Sequence, residues 1–138
     1  MIDLPLIEHA LVTHLTWKVR LQEAIEAGHC PWPVADVRSD RACDLGRWLL
    51  DVPAADRASR HWRRIRRLHA AFHAAAAEVL ALALAGHRRE AEAALGPGSR
   101  YARASAALVR ALLAWKDVLN PEPEKPRVFK KRRKPPEE

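Results

Sequence analysis

The apolar positions of this chain recur at intervals of three and four, the period of a helix. From Leu6 to about Ala27, Ile7, Ala10, Leu11, His14, Trp17, Leu21 and Ile25 share one face, while Glu8, Glu23 and Glu26 lie away from it. Pro5 suits the first turn of that helix and Gly28 its stop. The segment Gly28-His29-Cys30-Pro31-Trp32-Pro33 reads as a loop, because its prolines remove donors and fix the backbone. Asp40 to Leu50 reads as a short helix or turn that Asp40 could cap. After a break at Asp51-Val52-Pro53-Ala54-Ala55-Asp56 comes the longest run, from about Asp56 to Ala85, with Asp56 as a reasonable N-cap. Trp62, Ile65, His69, Phe72, Ala76, Val79, Leu80 and Ala83 form its apolar stripe, and Arg57, Arg60, Arg63, Arg64 and Arg67 lie opposite. His87 to Leu95 makes a short helix closed by Gly96-Pro97-Gly98. From Ser99, Tyr101, Ser105, Leu108, Leu112, Trp115 and Leu119 step by four and three, as a bundle seam does.

These elements predict an all-α fold: a small antiparallel helical bundle of four main helices plus short ones. Composition agrees, since the apolar share of 49% includes much alanine and aromatics supply only 6%. At 138 residues the chain suits one domain with a real core, placed at residues 1–119. Residues 120–138, rich in Pro, Lys and Arg and including Lys130 to Lys134, hold too little apolar surface to fold alone and are expected to be a disordered tail. The formal charge of +7 is spread over both parts, which suits an acidic partner. Two cysteines without matched spacing, no signal-like segment and no apolar run near the ~18 residues of a membrane span predict a soluble protein of the cytoplasm with no membrane insertion.

The chemistry concentrates in Leu68-His69-Ala70-Ala71-Phe72-His73. Residues four apart on a helix point the same way, so His69 and His73 can close on one ion, which is half of a zinc site. Two further donors must then come from other elements. No Glu follows His69, so the general base of the HExxH zinc hydrolases is missing. His14 lies on an apolar stripe, where a lone histidine is more often an ordinary core residue, and a lone Cys43 is by itself no more than a small hydrophobe. His9, His29, His61 and His87 read as surface residues, and Cys30 as packed or exposed.

Taken in order, His14-Leu-Thr-Trp17, Cys43-Asp-Leu-Gly-Arg-Trp48-Leu and His69-Ala-Ala-Phe-His73 resemble the HxxW, CxxGxW and HxxxH motifs of the chemoreceptor zinc-binding (CZB) domain family. The resemblance extends over roughly residues 4–119. It implies a helical bundle around a buried zinc, one ion per chain, with His14, Cys43, His69 and His73 as ligands. Trp17 and Trp48 would then wall the metal from water. Four N and S donors fill a tetrahedral zinc shell, so no enzymatic hydrolysis is expected. The function implied is a regulatory module that senses zinc level or oxidation of Cys43, the redox-sensitive ligand, and acts through a signalling partner protein. Homodimerisation follows by analogy with dimeric family members, and the seam of the last helix is physically suited to it. The alternative is a nucleic-acid or anionic-surface binder with a structural zinc, using the arginine stripe and the basic tail.

Overall fold

Proline and glycine divide the chain into seven helical segments, which the computed structural model describes over residues 4–41 and 43–119. They are α1 (Leu4–Ala27), α2 (Val34–Arg38), α3 (Asp44–Asp51), α4 (Ala54–Arg57), α5 (Arg60–Leu84), α6 (Arg88–Leu95) and α7 (Arg100–Leu119). No strand occurs among the described residues, so the fold is the all-α bundle that the periodicity predicts. Residues 120–138, expected to be a tail, lie outside the described set.

The long helix α5 is the axis of the bundle and packs against every other segment. Its stripe from Trp62 to Ala83 is buried, and Ala75, Ala76, Ala77 and Ala83 within it let neighbouring backbones approach closely. The alanine-rich composition therefore reflects tight helix packing. Tyr101 of α7 meets Phe72, Arg100 pairs with Glu78, and Lys116 pairs with Glu8. These contacts join the start of α7 to α5 and its end to the start of α1. The seam of α7 is thus spent inside the chain, with Tyr101, Leu108, Leu112 and Trp115 all buried. The large apolar side chains left exposed on the long helices include Val12, Leu15 and Val19 of α1 and Leu113 and Val118 of α7.

By length and mean hydropathy α5 could cross a membrane, contrary to the expectation that no apolar run approaches that length. Half of that window is buried inside the bundle, and it carries His69, His73 and Glu78, so α5 is the core helix of the domain.

Three boundaries differ from the sequence reading. Asp40 does not cap α3: its carbonyl lies against Gly46, and the cap is Cys43, whose thiol accepts the Gly46 N–H at 3.4 Å. Asp56 does not cap α5, because it falls inside the single turn α4 that starts after Pro53. The cap there is Ser59, whose Oγ accepts from the N–H of His61 at 3.1 Å and of Trp62 at 3.5 Å. Finally, the loop read at residues 28–33 is present, but it is followed from Val34 by α2, a helix the sequence reading did not draw, which buries Val37 against α5.

Candidate metal centre

His14, Cys43, His69 and His73 each bring one donor atom to a common point, all four lying within 4.8 Å of one another. Cys43 Sγ is 3.2 Å from His69 Nε2 and 3.6 Å from His73 Nε2, and the two Nε2 atoms are 3.0 Å apart. Tetrahedral zinc, with bonds of roughly 2.0–2.3 Å, needs donors about 3.3–3.6 Å from one another. The three elements that supply the cluster explain why it forms. α1 carries His14 on its buried stripe, α5 presents His69 and His73 one turn apart, and the cap of α3 fixes Cys43.

Hydrogen bonds at the back of the rings aim their lone pairs. His14 donates its Nδ1–H to the Ala10 carbonyl at 2.8 Å, which leaves Nε2 unprotonated. His73 donates its Nδ1–H to the Val37 carbonyl at 2.8 Å, with the same result. The Nε2 of His14 is buried and has no partner. A buried acceptor left in that state costs about 1–3 kcal/mol. Lone pairs converging on one point repel each other unless a cation stands between them, and this orphaned nitrogen therefore fits a bound metal. The His69 Nδ1 is also buried without a partner among the described residues, so no hydrogen bond at the back of this ring orients it.

Burial lowers the pKa of all three histidines, that of His14 to about 4. The rings are therefore neutral and competent as ligands at neutral pH. Burial also pushes the Cys43 thiol up, against the pull of the Gly46 and Leu45 N–H groups. A divalent cation at the centre reverses that tendency and holds sulfur as thiolate.

Gly46 makes the geometry of Cys43 attainable. A Cβ at this position would stand 1.7 Å from the Asp40 carbonyl oxygen, so no other residue lets the chain at 40–41 cross the start of α3. Trp17 is buried and, with Cys43 and His73, lines a cleft of about 380 Å³. The mouth of that cleft is framed by Arg20, whose guanidinium lies 5.1 Å from the ring centres of both Trp17 and Trp32. Trp48 packs on Trp115 of α7, with ring centres 5.4 Å apart. His9, His29 and His87 are exposed and His61 is half-buried on the outer side of α5; none of the four belongs to the cluster.

The sequence reading passed over Val37, Ala10 and the role of Gly46. Ala10 was in principle legible, since it sits one helical turn before His14. The Val37 carbonyl, supplied by a helix of five residues, left no periodic signal.

The family model of the chemoreceptor zinc-binding domain matches residues 14–80, which span the three motifs and all four donors. The match stops short of α6 and α7, which the resemblance also took in. No curated protein and no solved structure matches the chain significantly. The donor set and the matched domain agree on zinc as the cofactor, with a cluster suited to one ion.

Proposed function

Because residues 14–80 make this chain a member of the chemoreceptor zinc-binding domain family, we propose that it is a zinc-responsive regulatory module whose ligands are His14, Cys43, His69 and His73. It reports zinc level, oxidation of Cys43, or both to a partner protein in the cytoplasm. The observation that carries this reading is the convergence of four donors from three separate segments, with the His14 Nε2 left without any other partner.

Binding an ion there ties α1, the start of α3 and α5 together, so occupancy and helix packing are one equilibrium. Four protein donors fill the shell, which leaves no position for an activated water, and the role is regulatory rather than catalytic. The half-buried Cys43 faces the cleft beside Trp17, which supports a thiolate that small oxidants reach. Self-association belongs to the same reading, supported by the apolar stripe of Val12, Leu15 and Val19 on α1.

A titration with a zinc chelator, read by tryptophan fluorescence and near-ultraviolet circular dichroism, tests it. Removal of zinc is expected to loosen helix packing and shift both signals together. Signals that stay at their starting values while zinc is fully removed would rule out coupling between the ion and the fold.

A further inference from the structure

The positive charge of the folded domain is not spread over it. Residues 1–119 carry a formal charge of +4, and the eleven positions from 57 to 67 alone carry +6 with no acidic residue, so the rest of the domain is net −2. Of the eleven other cations in residues 1–119, four pair with acids: Arg47 with Asp44, Arg88 with Glu92, Arg100 with Glu78 and Lys116 with Glu8. None of the six arginines at 57–67 makes an ion pair with another of the described residues.

Three of the six have structural work. Arg57 donates to the carbonyls of Val52 and Leu50, Arg63 donates to Ala58 O, and Arg66 lies over the Trp62 ring. Arg60, Arg64 and Arg67 are exposed and carry none of these bonds. At about 100° per residue they share one outer ridge of α5, with Arg63 at its edge and His69 on the opposite side. The arrangement is unfavourable for the helix. Its first turn has no acidic residue, cations at a helix N-terminus oppose the macrodipole, and like charges three or four apart repel.

We infer that this ridge binds the phosphate backbone of duplex nucleic acid without reading base sequence. The ridge runs about 10 Å along the helix axis, over which a duplex offers about six phosphates. Guanidinium groups match phosphate oxygens with paired donors. A protein partner is disfavoured by the surroundings: the exposed large apolar residues are Val12, Leu15, Val19, Trp32, Leu84, Leu113 and Val118, none of them at 57–67. A ridge with no apolar centre lacks the anchors on which protein interfaces depend. Because α5 also carries His69 and His73, the ridge and the metal centre share one helix.

The test is anisotropy of a short fluorescent DNA duplex with the full-length zinc-loaded protein, as a function of salt. Three forms are compared: wild type, Arg60→Gln/Arg64→Gln/Arg67→Gln, and Lys130→Gln/Lys131→Gln/Arg132→Gln, which removes the same charge from the C-terminal segment. The ridge variant is expected to reduce the slope of log K against log salt by about 2.7 and to weaken binding more than the other variant does. A ridge variant with lysine at the three positions keeps the slope, which separates charge from any fault in folding. Absence of wild-type binding at low salt, equal losses in the two glutamine variants, or competition by poly-glutamate at equal charge would each overturn the assignment.

Discussion

The Nδ1–H of His73 donates to the carbonyl of Val37 over 2.8 Å, joining the short helix α2 to the metal centre on α5. Val37 is itself buried, so its side chain holds α2 in the place where its carbonyl can orient the ring. Val37→Ala leaves the carbonyl but removes the packing beneath it. Stability is expected to fall by about 1–3 kcal/mol, and zinc affinity by about 10-fold or more as the ring loosens. Competition with a chelator of known affinity measures the second effect; wild-type affinity in this variant would show that α2 has no part in positioning His73.

Gly46→Ala should be more damaging than a surface glycine replacement. The added methyl has no space, because a Cβ would stand 1.7 Å from the backbone oxygen of Asp40. Either the segment at 40–41 or the start of α3 has to move, and Cys43 moves with it. A loss of about 1–3 kcal/mol with reduced zinc content is expected from thermal melts and metal analysis. A fully stable, fully loaded variant would mean that the crossing is not needed.

Acid should weaken the fold in a specific window. The buried rings of His14, His69 and His73 have lowered pKa values, that of His14 to about 4 against 6.5 in the unfolded chain. Between those values the unfolded state binds protons that the folded state does not, so stability rises with pH and is lost as pH falls below about 6.5. Protons also compete with the ion for the same nitrogens, which adds to the loss. Urea melts from neutral pH to about pH 4.5 check this; a midpoint constant down to pH 5 would contradict it.

Oxidation should release the metal. Transfer of oxygen from hypochlorous acid to the Cys43 thiolate yields sulfenic acid and chloride, which weakens one of four bonds and leaves three neutral imidazoles to hold the ion. Zinc release during titration with hypochlorite, followed with a chromogenic chelator, is expected before any loss of helical circular dichroism. Cys30→Ala should behave as wild type. Zinc retained until the protein denatures would leave a structural or purely zinc-linked role.

Long elements were legible in the sequence and short ones were not. α1, α5 and α7, at 24, 25 and 20 residues, are long enough to show a helical period and to expose their buried faces. α2 and α4, with five and four residues, amount to about one turn each and show none. Caps were misplaced for a related reason: Asp40, Asp56 and Ser59 are all good capping types, and only the path of the chain selects among such residues. The four donors could be named because three motifs stand in order, but the orienting carbonyls of Ala10 and Val37 belong to the backbone, which every residue has. The contact of Trp48 with Trp115 was not legible either, because which neighbour an aromatic ring meets depends on how distant parts of the chain pack.

The central claim is that His14, Cys43, His69 and His73 together hold one zinc. Elemental analysis of the purified protein and of its alanine variants at these positions tests it most directly. One zinc per chain is expected in the wild type and in the His9, His29, His61 and Cys30 variants, with most of the metal lost from each of the four cluster variants. Full zinc content in the His73→Ala protein would contradict the account.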